Sequence, residues 1–259
     1  SPFWTGTPFV ADPSMLAFAR TAIKLPNDRS ARLRFFLGYL GDPNVDLAES
    51  AYSEFAAAPY EDVVALAPRL GRARVLELLA APTTREAHKS VFYLMLGSFH
   101  QSEDLPLVEK ALDKLVMTSP QSAIMSCYLE LKGAAGLPML ESRFLIPSAS
   151  TLSQRSALEA MRFQASAGKP ITGSQVAPVF RRLLDDPELA PLVLRDLALW
   201  SDWEGLPKVV GLFDHAPTWS RVSIVRYLAS CPLPEAKAAL ERIGKKDPQL
   251  VKISAKPFQ

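Results

Sequence analysis

"RLRFFLGYLGDPNVDLAESAYSEF", Arg32 to Phe55, reads as two short amphipathic helices joined by an Asp-Pro turn. Leu33, Phe36, Leu37 and Leu40 fall on one face of the first. Leu47, Ala48, Ala51, Tyr52 and Phe55 do so on the second, at the three- and four-residue intervals that mark a helix with one apolar side. "VFRRLLDDPELAPLVLRDLALW", Val179 to Trp200, repeats that layout 144 residues later, with Leu-x-Asp-Pro in register. The chain therefore reads as all-α and built from stacked antiparallel helix pairs. The offset holds three or four units of about 36–48 residues, a range that brackets the HEAT and armadillo periods. An ordinary non-repeating helical bundle is the competing architecture.

The rest of the chain carries the same pattern. "LVEKALDKLV", "SALEAMRFQ" and "AKAALERI" set apolar residues on one side and charge on the other, and strand-like alternation is nearly absent. Asp-Pro recurs at Asp12, Asp42, Asp186 and Asp247. The aspartate accepts from free first-turn amides, and proline fits the first helical position. Thr83-x-x-Glu86 and Thr172-x-x-Gln175 have the form of capping boxes. With 22 prolines, helices of about 9 to 16 residues are expected, short enough to depend on packing. The expected organisation is an N-terminal extended arm and first helix over residues 1–27, followed by one repeat domain over 28–259. "SPFWTGTPFV" would lay Phe3 and Trp4 across the first repeat or dock an absent domain.

Composition excludes several classes. Hydrophobic residues make up 48% and charged residues 22% of 259, which is ordinary for a globular protein with a core. A net charge of +2 with no basic block argues against nucleic acid, whose binding draws on concentrated positive charge. No apolar run approaches the ~20 residues of a bilayer span. The start lacks an initiator methionine, which favours a periplasmic or secreted origin slightly over a cytoplasmic one. Cys127 and Cys231 sit in apolar surroundings and read as buried thiols rather than a bridge or a metal site.

Chemical signatures are sparse. The Gly168-Lys169 pair lacks the upstream glycine of a phosphate loop. His88, His100 and His215 have no metal-ligand spacing, and a Cys127–His100 nucleophile pair is opposed by the apolar context of the thiol. Glu61-Asp62, Glu103-Asp104 and Asp185-Asp186 suit helix starts better than paired acid–base catalysis. "DLALWSDWEGLPKVV", Asp196 to Val210, is the most suggestive stretch. Trp200 ends a stripe with Leu189, Val193 and Leu197 and is expected in the core. Trp203 and Asp202 could form a carbohydrate platform, Trp200, Trp203, Asp202 and Arg195 supply the residue types that hold a damaged nucleotide in HEAT-like DNA glycosylases, or the two indoles could pack at an inter-helix corner. Arg195, Asp196 and Arg226 interrupt apolar helices and are expected to form ion pairs between neighbouring repeats.

"LGDPNVDLAESA" resembles the HEAT motif, with Asp46 where that motif carries an arginine. "DLAESAYSEFAAAPYEDVVALAPRL", "GAAGLPMLESRFL", "RDLALWSDWEGL" and "VRYLASCPLPEAKAAL" are similar to an uncharacterised bacterial HEAT-repeat-like family, armadillo-type α-solenoids. The resemblance runs from about residue 30 to 250. It implies a HEAT-like α-solenoid, which in such proteins often follows a small β-rich domain behind a secretion signal. It supplies no catalytic residues.

The leading expectation is a non-catalytic interaction scaffold, not an enzyme, with no cofactor or metal, binding a protein or peptide partner. Tyr60, Glu61, Arg69, Trp203 and Glu204 are its candidate contact residues, taken as solvent-facing aromatic and charged groups near element ends. The alternatives are a glycosylase- or hydrolase-like solenoid enzyme with a Trp/Asp-lined cleft, and a module supporting a missing upstream domain. The oligomeric state is left open.

Overall fold

The computed structural model describes residues 13–166, 170–254 and 256–258, and among these every regular element is a helix. In chain order they are α1 (Pro13–Ala22), α2 (Arg29–Leu37), α3 (Val45–Ala56), α4 (Tyr60–Leu70), α5 (Arg72–Ala80) and α6 (Lys89–Gly97). Then come α7 (Leu105–Asp113), α8 (Gln121–Lys132), α9 (Leu137–Phe144), α10 (Thr151–Ser166) and α11 (Gly173–Arg182). The last are α12 (Ala190–Leu199), α13 (Leu206–Leu212), α14 (Thr218–Ser230), α15 (Pro234–Lys246) and α16 (Pro248–Ser254). The expected arm, with Phe3, Trp4 and Asp12, lies outside the described residues.

The helices form stacked pairs in two layers, a HEAT-like α-solenoid. One layer runs α2, α5, α7, α9, α11, α13 and α15; the other runs α3, α6, α8, α10, α12, α14 and α16. A continuous core extends between them from Leu33 to Ile243, with Phe55, Phe92, Phe180 and Tyr227 among its fully buried side chains. The two Asp-Pro segments form pairs of corresponding layout, α2/α3 and α11/α12, with three pairs between them. α4 is an insertion packed on α2, α5 and α6. Gly71, at φ 82°, turns the chain sharply into α5 in a conformation that a side chain would oppose. At the N-terminal end, Phe18 of α1 packs among Phe35, Phe36 and Tyr39.

Helix starts are made by local side-chain chemistry, not always at the expected residue. Thr172 and Gln175 form the capping box of α11. Asp247 Oδ1 accepts from the Leu250 amide at the start of α16. Asp42 does not begin α3: it accepts from the Asn44 amide, and Asn44 caps the helix through Asp46 and Leu47. Thr83 makes no capping box either, because the chain there enters a short turn of 3₁₀ helix, Glu86–His88, behind Arg85.

Each step of the first layer from α5 onward carries an ion pair. Arg72 meets Asp104, Arg143 meets Asp113, and Arg182 meets Glu141; Lys208 meets Asp185, and Lys246 meets Asp214. The exposed pairs among them contribute about 0–1 kcal/mol each and set register more than stability, whereas the Asp104 side chain, 3% exposed, makes the first a part-buried link. The second layer has its own links. Glu49 of α3 accepts from His88 and Arg85. Arg162 of α10 grips Asp196 of α12 through Nε and Nη2, both at 2.7 Å, and also donates to Leu192 O.

Asp196 thus forms the inter-repeat pair expected of it, whereas the expectation for Arg226 is corrected. Arg226 is exposed and makes no ion pair among the described residues, because its position on α14 falls outside the buried stripe of Ile224, Val225, Tyr227 and Leu228. Arg195 is likewise exposed on α12.

Both kinds of second-layer link can be tested by unfolding. The Asp196 side chain is 5% exposed and that of Arg162 is 35% exposed, so the two halves are unequal. Arg162→Leu strands a buried carboxylate and should cost about 3 kcal/mol in urea unfolding. Asp196→Asn leaves a cation that water can reach and should cost about 1 kcal/mol; equal losses would contradict the asymmetry. The hydrogen bond from His88, reinforced by the charges of His88 and Arg85, holds the Glu49 carboxyl below the ordinary carboxylate range. A lowered folded value stabilises above the unfolded pKa of ~4.3 and fades as pH falls through the folded one. Glu49→Gln should therefore lower the urea midpoint at neutral pH and lose its effect below that range.

Candidate functional site

The second layer offers a groove across α3, α6, α8 and α10. Tyr52, Ser90, Leu94, Ser122, Ser126, Glu159 and Phe163 line an opening of about 420 Å³, with Tyr60 at its edge. The Tyr60 ring, in the first residue of α4, meets the Phe163 ring of α10 edge-on at 4.9 Å and 76°. The insertion α4 packs on α6, and α8 lies between α6 and α10 in the layer, so this contact spans those two helices. On the other side of Tyr60, Glu61, Val64 and Pro68 of α4 face Ser98, Phe99 and His100 across a second opening of about 390 Å³. Beneath the Tyr60–Phe163 contact a narrow cleft reaches Glu130 and Gln164.

Local chemistry fixes these side chains. Tyr52 stacks on the His88 ring at 4.3 Å, and its hydroxyl lies 3.1 Å from Ser90 Oγ. Because Glu49 holds His88, the rim of the groove is tied to the α3–α6 link. Gly97 lets α6 approach α8 closely: a Cβ there would lie 3.3 Å from Glu130 Cβ. Gln164 Nε2 donates to Glu130 Oε2 at 2.9 Å and to Ser126 O at 3.0 Å. His100, at φ 52°, sets its Nδ1 3.6 Å from Glu130 Oε1. Cys127 lies under this cluster, and burial pushes its thiol far up, so it has no thiolate to serve as a nucleophile beside His100. Burial also pushes the Tyr93 hydroxyl of the same cleft up to about 12.

Of the sequence-level candidates, Tyr60 and Glu61 meet in this groove. Arg69 is exposed in the last turn of α4. Trp203 and Glu204 belong to a different place, the corner between α12 and α13, and Trp203 is corrected from a solvent-facing to a half-buried residue. Ser201 takes φ 56°, and the Asp202 and Ser201 amides return to Leu197 O and Ala198 O. This is a Schellman cap with a serine where glycine is usual. The turn drops Trp203 edge-on against Tyr227 at 5.2 Å and 65°. The Tyr227 hydroxyl donates to Asp202 O, and Arg181 bridges Asp202 and Glu204 at 2.8 and 2.7 Å. Trp200 turns the other way, tilted on Phe180, with Gly173 leaving room for its ring. The indoles are structural wedges of a corner, and neither lines the openings described above, so the Trp/Asp-lined cleft is corrected as well.

Sequence reading passed over Glu159 and Phe163. Their spacing places them on one stripe of α10, off the buried stripe of Ala157, Leu158 and Met161, and this was the available signal. It also passed over Trp219, 56% exposed in the first turn of α14. That indole faces Arg155, Asp186 and Glu188 across an opening of about 510 Å³. Among the described residues no group of three His, Cys, Asp or Glu side chains could hold a metal, and no helix is long and apolar enough to cross a membrane.

No family model matches the chain, and no curated protein does. Among solved structures, human deoxyhypusine hydroxylase in complex with glycerol is similar over 93% of this chain and 92% of that one. The identity is 14% and the TM-score 0.37, a likeness that assigns no reaction to this chain. It does correct the expectation that the protein is not an enzyme. The protein along which these helices align is named as a hydroxylase.

Both cysteines are free and buried. Ellman's reagent at pH 8 should label neither in the native protein within minutes and both in guanidinium. Fast native labelling of Cys127 would restore it as a reactive group.

Proposed function

We propose that the grooved face across α3, α6, α8 and α10 binds an extended basic segment of a protein partner. The observation that carries this reading is the character of the lining. Among the described residues the charged groups along the two wider openings are Glu61 and Glu159, with the titratable His100 beside them. The chain as a whole is at +2, so the groove is an acidic place on a mildly basic protein. Tyr52, Tyr60 and Phe163 stand among those carboxylates, and ring faces attract cations. Ser90, Ser122 and Ser126 add hydroxyls within reach of a peptide backbone.

Size points the same way. Helices packed side by side lie about 8–10 Å apart, so three steps from α3 to α10 span roughly 25–30 Å. An extended chain covers that in about eight residues. Long curved faces of stacked helices suit ligands of this shape. Such recognition serves an enzyme holding a peptide substrate and an adaptor holding a partner alike.

Calorimetric titration with an eight-residue peptide alternating lysine with small residues tests the reading. Binding should weaken as salt rises, Glu159→Gln should cost about two- to fivefold in affinity, and Phe163→Ala should cost more. Unchanged affinity in both variants, or preference for an acidic peptide, would refute it.

A further inference from the structure

We infer that the opening between α10, α12 and α14 is a binding site for a neutral sugar, a pyranose ring standing alone or within a glycan. The site lies apart from the acidic groove and does not depend on it. Its starting point is Trp219, whose indole is 56% exposed while the turn that carries it is firmly seated. The adjoining Ser220 is buried and donates through Oγ to Pro217 O. Arg221 Nε donates to Ala216 O, and its guanidinium lies over the Phe213 ring at 5.3 Å. Unlike Trp200 and Trp203, this indole is wedged against no other ring; it is held out beside a cavity of about 510 Å³. Small-molecule sites have about that size, roughly 300–1,000 Å³.

The polar groups around the cavity stand ready but unspent. Arg155 lines it from α10, and Asp186 and Glu188 line it from the turn before α12. Among the described residues Arg155 forms an ion pair with neither acid, so opposite charges bracket the space instead of closing it. Asp186 Oδ1 accepts from the Glu188 and Leu189 amides at 2.9 and 3.3 Å, which fixes its carboxylate. Gln154 Nε2 donates to Ile146 O at 3.0 Å, which fixes its amide. Groups oriented beforehand cost less to order when a ligand arrives.

These features define the ligand. It needs an apolar face to lie on Trp219. Two carboxylates against one guanidinium ask for a ligand rich in donors, and they repel phosphates and acidic sugars. Arg155 and Glu188 are exposed, where water screens an ion pair to little, so a free amino acid held by its charges gains little. A pyranose meets all of these demands. Its C–H groups carry slight positive charge and suit the negative face of the indole. Its neighbouring hydroxyls donate to a carboxylate and accept from a guanidinium, whose planar fork suits paired oxygens. A nucleobase has the flat face but too few donors.

Titration of the ¹⁵N-labelled full chain with cellotriose, chitotriose and maltotriose, followed through the indole N–H resonances, tests the site. At least one neutral trimer should shift the Trp219 resonance and saturate it, leaving those of Trp200 and Trp203 in place. Trp219→Ala should weaken binding about tenfold or more, Trp219→Phe less, and Glu188→Gln about threefold. Both positions are exposed, so melting curves should be unchanged. If none of the three trimers moves the indole, the inference fails. Affinity that survives in Trp219→Ala would overturn it, as would an indole that responds to glutamate, lysine or a galacturonate trimer but to no neutral trimer. None of these outcomes touches the affinity of the groove for a basic peptide.

Discussion

An α-helix shorter than about 12–15 residues gains too few internal hydrogen bonds to offset the entropy of forming it. In this protein the helices run from 7 residues in α13 to 16 in α10, so most are below or near that length. Each must bury one face between neighbours to exist, and the two-layer stack follows from that need. Burying a leucine or phenylalanine gains about 1.5–3 kcal/mol, against at most about 1 kcal/mol for an exposed ion pair. The apolar seam therefore holds the stack. The pairs from Arg72–Asp104 to Lys246–Asp214 decide how each unit is turned against the next.

The fold was legible because its determinants are local. The stripes of Arg32 to Phe55, the Asp-Pro repeat and the Thr172 capping box are each contained within a few turns of chain. Helix starts misread from sequence, at Asp42 and Thr83, failed for an equally local reason. Asn44 offers a better-placed acceptor to the first-turn amides, and Arg85 leads into a tighter helix that needs no box. The groove was not legible. Five α-helices separate Tyr60 from Phe163 in the chain, and only the packing of α4 on α6, α6 on α8 and α8 on α10 brings their rings together. The ladder partners were hidden by uneven linkers, which leave no fixed spacing between an arginine or lysine and its acid.

The corner at Trp200 and Trp203 shows why residue types alone misdirect. Two indoles, a carboxylate and a nearby arginine suit a sugar platform as well as a packed turn. One backbone angle separates the cases, the positive φ of Ser201, which sends the indoles to opposite sides of the turn. The acidic groove looks plainer in sequence, a tyrosine after a proline and a phenylalanine near the end of a helix, yet there aromatic rings and carboxylates converge.

Where the second layer passes from α10 to α12, the helices have little close backbone packing compared with α8 against α10. Arg162 spans the gap with two parallel hydrogen bonds to one buried carboxylate. Such a fork tolerates little rotation, because tilting the guanidinium plane breaks both bonds together rather than stretching them in turn. At this seam the second layer is thus fastened by a latch rather than a spring, beside the apolar core that α11 continues between α10 and α12. Twisting the stack, by force or by a ligand lodged across it, would give a sudden change of curvature at this seam, while the neighbouring steps, fastened by apolar contact, yield gradually.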